Sequence, residues 1–311
     1  MRKLLCFILT AFLLAGCGGT AKSEPAAAEK GVTFTDDLGR AVTVDEPKRV
    51  AALIGSFADI WCLAGGKETL VAAAHDTWTS FDLGLDQTVA DLGEIKEPNL
   101  ELLLASQPDL VLASSNTGAQ VDLLEALEGS GLNVAYFKVA DFDDYLRMLD
   151  ICTQITGQRE NYVKYGQDLE DQRQTAIDRA DGSRPTVLYV RATGSSCKVK
   201  NSQDSVLGEM LADLDCVNVA DSETGLLEEL SMEAILTADP QFIFVVLQGA
   251  DPTAAQETLD RTLLSDPAWQ SLTAVKEGRY HVMDHRLYNL KPNARWGEAY
   301  QNLADILYPE A

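Results

Sequence analysis

The sequence predicts an α/β protein of two Rossmann-like lobes bridged by one long α-helix, with a ligand cleft between the lobes. Three observations predict it. Apolar runs of strand length alternate with amphipathic stretches of helix length, the pattern of parallel α/β units. The alternation stops over residues 141–179, where apolar residues recur only at helical spacing, and then resumes. Glycines and prolines fall between the units, where turns are needed.

The first lobe covers residues 32–140. Its strands are expected at 49–54 (RVAALI), 70–74, 109–113 (DLVLA) and 133–138 (NVAYFK). Helices at 57–64, 100–105 and 121–128 separate them, and glycines at 65, 66 and 129 supply two of the stops. Residues 141–182 form the connection. Tyr145, Met148, Leu149, Cys152 and Ile155, then Tyr162, Tyr165, Leu169, Arg173 and Ile177, fall at helical spacing, interrupted at Gly157. The residues between the later positions are highly charged, as on a largely solvated helix. The second lobe covers residues 183–311. It has expected strands at 186–191 (TVLYVR), 217–220, 241–247 (QFIFVVL) and 279–283 (RYHVM). Its helices are expected at 205–214, 232–237, 254–263 and 293–307. Two open sheets facing each other leave a ligand cleft between their loop ends. A rigid linking helix permits only small opening and closing motions.

Composition narrows the function. Of 311 residues, 46% are hydrophobic and 23% charged, which excludes disorder, collagen and a membrane bundle for the bulk of the chain. The formal charge is −23, and loss of Arg2 and Lys3 with a cleaved leader takes it to −25. So acidic a surface repels phosphate backbones, and nucleic acid is excluded as a partner. Three histidines do not furnish a dense metal cage, and six cysteines do not make a disulfide scaffold at this length.

Residues 1–16 read as a signal peptide. A basic Met1-Arg2-Lys3 precedes a twelve-residue apolar run, 4–15, well short of the ~20 residues of a spanning helix. Leu14-Ala15-Gly16-Cys17 resembles the lipobox of bacterial lipoproteins, with Cys17 the acylated new N-terminus. Residues 17–31 then form a flexible tether, and the chain is expected outside the cytoplasm, lipid-anchored to the bacterial cell membrane. Of the remaining cysteines, Cys62 and Cys152 read as small buried hydrophobes. A bridge between Cys197 and Cys216 stays open.

Several stretches carry a family likeness. Residues 32–50 (VTFTDDLGRAVTVDEPKRV) supply an Asp-x-x-Gly-Arg turn and a Pro-x-Arg-Val entry to a strand. Asn99-Leu100-Glu101 is followed by Gln107-Pro108-Asp109-Leu110-Val111. Asp266-Pro267-Ala268-Trp269 leads to Ala274-Val275-Lys276-Glu277-Gly278-Arg279, and Pro292-Asn293-Ala294-Arg295 opens the last helix. In order and spacing these resemble the periplasmic-binding family that serves ABC importers of iron–siderophore, haem and cobalamin. The resemblance implies two α/β lobes bridged by one helix. It also implies a captured iron chelate, ferric siderophore favoured over haem and corrinoid, delivered to an ABC permease dimer with its cytoplasmic ATPase.

A binding protein of this kind needs aromatic and polar side chains on loops at strand ends. Ser56, His75, Trp78 and Asn116 stand there in the first lobe, and Arg191, Tyr288, Arg295 and Trp296 in the second. Trp78 and Tyr288 could stack on a planar ligand, Arg191, Arg286 and Arg295 could neutralise an anionic one, and Trp78 and Trp296 should report binding by fluorescence. Arg295 could equally close against an acidic neighbour within its own helix. His75 is a candidate haem or metal ligand, but a lone histidine at a strand end is more often a hydrogen-bonded loop residue. Glu101 and Glu233 each open a short helix behind a good N-cap, Asn99 or Ser231, which the helix dipole alone would explain. The resemblance implies that these two carboxylates, one per lobe, dock onto arginines of the permease. No cofactor is expected, and the protein is expected to be a monomer.

An enzyme reading finds no Gly-x-Ser-x-Gly elbow, His-Glu-x-x-His or P-loop lysine. A metal or oxyanion binder on the same scaffold is the runner-up, and a surface lipoprotein hydrolase a more distant alternative.

Overall fold

A computed structural model of the chain describes residues 31–203, 205–249 and 251–309. The readings of a signal peptide, of Cys17 as lipid anchor and of nearly all the tether lie outside the described residues. The described chain opens with a ribbon in which β1 (Val32–Thr35) and β2 (Ala41–Val44) pair antiparallel, Val32 opposite Val44. Asp36 makes its turn, accepting from the amides of Leu38 (3.1 Å) and Arg40 (2.9 Å). The Arg40 guanidinium returns to Asp36 Oδ2 (2.6 Å) and donates to the carbonyl oxygen of Val134 (2.8 Å). The Asp-x-x-Gly-Arg pattern is therefore a buried, charge-assisted clamp that fixes the ribbon to the first sheet.

That sheet comprises β3 (Val50–Ala52), β4 (Leu70–Ala73), β5 (Ala90–Asp91), β6 (Leu110–Ser114) and β7 (Val134–Phe137). It is parallel throughout, in the order β5-β4-β3-β6-β7. The second sheet comprises β8 (Thr186–Ala192), β9 (Cys197–Lys200), β10 (Val217–Asn218), β11 (Phe242–Leu247) and β12 (Tyr280–Met283). Its parallel order is β10-β8-β11-β12, and β9 folds back antiparallel on β8. Each sheet begins in its middle, grows to one edge, then resumes on the other side of its first strand. The direction of growth reverses between β3 and β6 in one sheet and between β8 and β11 in the other. Such reversals splay the following loops apart and leave crevices at the strand carboxyl ends.

Strand alternation sorts the core. Val50, Ala52, Leu110 and Leu112 share one apolar cluster with Val187, Tyr189, Phe242 and Phe244 of the second sheet. The opposite faces, Ala51 and Val111 in one sheet and Leu188 and Ile243 in the other, pack into separate clusters. The shared cluster runs through the helix Phe142–Thr156 and the last helix, Trp296–Leu307.

The connection differs from the single long helix expected. The helix Phe142–Thr156 ends at Gly157, which adopts φ 72° and closes it as a left-handed cap. A second helical run then spans Arg159 to Ile177 and contains a π stretch, Val163–Gln167. At Gly166 a β-carbon would stand 3.3 Å from Leu146 of the first helix, so the two pack closely there. The Tyr145 hydroxyl donates to the Tyr165 carbonyl (2.6 Å), giving that widened turn a tertiary anchor. The first helix belongs to the shared core, and the second adds Leu169 and Ala176 to it and lies along the last helix, where Arg173 and Tyr300 both bind Asp213 Oδ2 (2.7 and 2.6 Å).

Cys62, Cys152, Cys197 and Cys216 are free thiols. Cys197 pairs with Ala192 at one end of β8, whereas Val217, beside Cys216, pairs with Thr186 at the other. Six residue steps along β8 separate those ends by about 20 Å, far beyond disulfide reach.

The shared cluster makes a direct prediction. The Trp296 ring is buried, 5.5 Å from Phe142 and 6.3 Å from Tyr300 by ring centroids. Trp296→Ala should cost about 3–5 kcal/mol. In scanning calorimetry the parent should melt in one transition and the variant in one transition at lower temperature. Two separate transitions in the parent would show that the lobes do not share a core.

Candidate ligand-binding site

The carboxyl ends of β6, β7 and β8 converge on one cavity of about 320 Å³. Asn116, Lys138 and Ala140 line it from the first lobe. Tyr189, Arg191, Ser205 and Val206 line it from the second, completed by Tyr288, Asn289 and Lys291 ahead of the last helix. Asn116 follows β6 and Lys138 follows β7, while Arg191 lies near the end of β8. These are the strand carboxyl ends at which the fold places ligands.

The cavity is polar and incompletely satisfied. Arg191 reaches Gln248 across the β8–β11 reversal at 3.4 Å, a weak bond. Its Nε and the Tyr189 hydroxyl are buried with no partner in hydrogen-bond geometry. The guanidinium is nonetheless near enough to oppose the upward pKa shift that burial imposes on Tyr189. Burial pushes the Lys291 ammonium below its ordinary value, and Arg191 adds repulsion in the same direction. Lys138 stands 3.7 Å from Asp144. On the neighbouring turn of the helix Val206–Asp213, half-buried Glu209 is pushed up to about 7, by burial first and then by Asp141.

The residues expected at the site divide. Asn116, Arg191 and Tyr288 line the cavity, Tyr288 with its hydroxyl committed to the carbonyl oxygen of Ala299 (3.0 Å). Ser56 is buried nearer the lobe junction, its Oγ without a partner and its carbonyl accepting from Asn293 Nδ2 (3.0 Å). His75 and Trp78 stand after β4 and do not line the cavity. His75 Nδ1 bonds Asp91 (2.7 Å), which raises its pKa and favours imidazolium over the neutral ring that ligates metals. Among the described residues, no group of three or more His, Cys, Asp or Glu could hold a metal ion. Arg295 is exposed and forked onto Glu298 through two bonds of 2.7 Å, the alternative open from its place in the first turn. Trp296 lines a smaller neighbouring cavity of about 190 Å³, so burial and position both remove it from the main one.

Glu101 and Glu233 are exposed on the helices Leu100–Ala105 and Met232–Ala238. Asn99 accepts from the Leu102 amide (3.0 Å) and Ser231 from the Ala234 amide (3.3 Å), the N-caps read from the sequence. Each helix comes after the edge strand of its sheet, β5 or β10, so the two carboxylates occupy matching places in the two lobes. Neither forms a salt bridge among the described residues.

Residues 50–287 match the family model described as Periplasmic binding protein. The chain belongs to that family. Its members are extracytoplasmic solute-binding components of ABC importers rather than enzymes. The Iron-uptake system-binding protein of Bacillus subtilis is 25% identical over 216 residues, covering 68% of this chain and 64% of that protein. The Cobalamin-binding protein of Halobacterium salinarum is 23% identical over 284 residues, 87% of this chain and 74% of that one. The solved structure of the periplasmic heme-binding protein RhuT from Roseiflexus sp. RS-1, in apo form, superposes with a TM-score of 0.67 at 20% identity. That superposition covers 84% of this chain and 98% of RhuT, and shows the shared fold. No helix among the described residues is long and apolar enough to cross a membrane.

Lys138, Tyr189 and Ser205 carry no site signal of their own type in the sequence. Lys138 carries the same strand-end signal as Asn116. Tyr189 sits mid-strand, and only its alternation with Arg191 points to a shared face.

Glu209 gives this periplasmic binding protein a measurable pH signature. Its folded-state pKa lies above the ordinary 4.5, so the folded state favours the protonated acid. The stability it contributes is complete below 4.5 and is lost as pH rises through about 7. Glu209→Gln should match the parent near pH 4.5 and be more stable at about pH 8, by about 1 kcal/mol after allowance for solvent screening. Thermal melts at both pH values check this, and equal stability at the higher pH would show that the carboxylate is not crowded.

Proposed function

We propose that this protein is a lipid-anchored extracytoplasmic receptor that captures a chelated iron between its lobes and hands it to an ABC permease. The observation that carries the reading is the inter-lobe cavity, whose β8 wall presents the buried, unpaired Arg191 Nε and Tyr189 hydroxyl. No histidine, cysteine or methionine lines it, and burial keeps the phenols of Tyr189 and Tyr288 protonated. The lining therefore offers no axial ligand to a haem iron or a corrinoid cobalt, which places a ferric siderophore, whose own donors complete the metal's coordination, ahead of both. The names of relatives that bind iron complexes, haem and cobalamin support the general class.

Glu101 and Glu233 are the proposed docking charges, one toward each permease subunit. A pair of charges split across two lobes reads the spacing of the lobes, while one charge reads a single surface. Rim charges of this kind mainly set orientation and on-rate. The protein acts as a monomer, and ATP hydrolysis belongs to the transporter's cytoplasmic subunit.

Two experiments test the reading. Calorimetric titration of the purified full-length protein with ferric siderophores, haemin and cobalamin should give saturable binding to a ferric chelate. Glu101→Ala with Glu233→Ala should leave that affinity unchanged yet lower uptake in cells, each single change costing less and Lys at either place costing more. Collapse of binding in the folded double variant would put the carboxylates in the ligand site instead. Separately, Cys17→Ser should release the protein from the membrane fraction, and unchanged retention and processing would remove the lipid anchor.

A further inference from the structure

We infer that the cleft selects a ferric chelate bearing outer carboxylate groups and net negative charge, through Arg191 and Lys291 with Lys138 beside them. The inference rests on the chelate-receptor reading and narrows it to one chemical class.

Charge placement is the first argument. In a chain of net charge −23, an arginine finds an acid easily. Arg40, Arg159, Arg173, Arg179, Arg184 and Arg295 all do. Arg191 and Lys291 form no salt bridge among the described residues, although Lys291 is within the electrostatic reach of Asp144 and Glu209. They share one cavity and repel one another. Two desolvated like charges side by side are costly unless a counter-charge completes them.

Unused hydrogen-bonding capacity is the second argument. Arg191 Nε is a buried donor without an acceptor, and the Tyr189 hydroxyl, fully buried on the same wall, has only that guanidinium beside it and no partner in good hydrogen-bond geometry. Such groups carry the desolvation cost without the bond. A planar carboxylate accepts from a guanidinium and a phenol together, and a second carboxylate would meet Lys291. Lys138, held by Asp144 only at 3.7 Å, is free to turn toward the same ligand. A neutral hydroxamate complex or a corrinoid would leave these cations uncompensated and is disfavoured on that ground.

The test titrates the full-length protein with ferric citrate, iron-free citrate, a neutral ferric trihydroxamate, haemin and cyanocobalamin. Ferric citrate should bind tightest, with affinity that falls as salt rises. Lys291→Met and Arg191→Met should each weaken it about 10- to 100-fold, and Lys291→Arg should keep most of it. Lys291→Met should also melt no lower than the parent, since it removes a repelling charge, and the Arg variant keeps the test valid if the Met variant folds poorly. Tightest binding of the trihydroxamate or cobalamin, unchanged by Lys291→Met, would overturn the inference while leaving the receptor reading intact. Equal binding of citrate with and without iron would overturn the chelate and make the site one for free oxyanions. No binding by any of the five would sink the inference together with the reading beneath it.

Discussion

The apolar seam between the helix Phe142–Thr156 and the last helix, Trp296–Leu307, is the contact on which the rest of the molecule depends. Both sheets bury one face into it, so large rings such as Phe142, Tyr145 and Trp296 set where one lobe sits against the other. A polar tie strengthens its edge. Asn293, in left-handed backbone at φ 50°, donates its amide to the Ser56 carbonyl (3.0 Å) and to Asp59 Oδ2 (2.8 Å) in the other lobe. Asparagine tolerates that backbone, and only a side chain of its length and chemistry reaches both acceptors. Burial pushes Asp59 up to about 6, against the lowering effect of the Asn293 bond, so the tie is made in a dry place. Closely packed interiors move between discrete arrangements rather than stretching, and small lobe motions are what such a seam permits.

On that frame the cleft runs against the charge of the whole. The surface is acidic and its arginines are largely consumed in ion pairs, while Arg191 and Lys291 in the cavity form no salt bridge among the described residues. Local arrangements that raise the energy of the empty protein without helping the fold are where binding sites are found. Acids gathered beside the cavity, Glu209 and Asp213 on one helix with Asp141 and Asp144 at the start of another, keep the negative field close to its wall. The sign of charge therefore changes across one helix, which gives the cavity a directional field toward an entering ligand.

The fold class was legible because it depends on periodicity. The strand at 242–247 and the helix at 100–105 fall almost where the pattern put them. The antiparallel β9 was not, since the CKVK that follows the turn at 193–196 (TGSS) is too short and too charged to stand out. Gly157 signalled the break in the connection, but an extra residue within a helical turn leaves no mark on side-chain type. Site residues at strand ends, Asn116 and Arg191, could be read because topology brings every strand's carboxyl end to one side. Trp296 could not be placed. Whether a ring at the start of a helix meets ligand or core depends on what packs opposite, here Phe142, some 150 residues earlier in the chain. Lys291 lies in irregular chain just before Pro292, where neither helical nor strand period assigns a direction.

The π stretch at Val163–Gln167 also bears on how a chain like this can change length. A widened turn holds one residue more than an α-helical turn of the same rise. Removing one residue there would restore ordinary helix and leave both ends of the segment nearly in place, at the cost of the Tyr145–Tyr165 hydrogen bond. The same deletion elsewhere in the run would rotate every later side chain by about 100° around the axis and turn its apolar stripe away from the last helix. Insertions and deletions between relatives should therefore gather at these five residues.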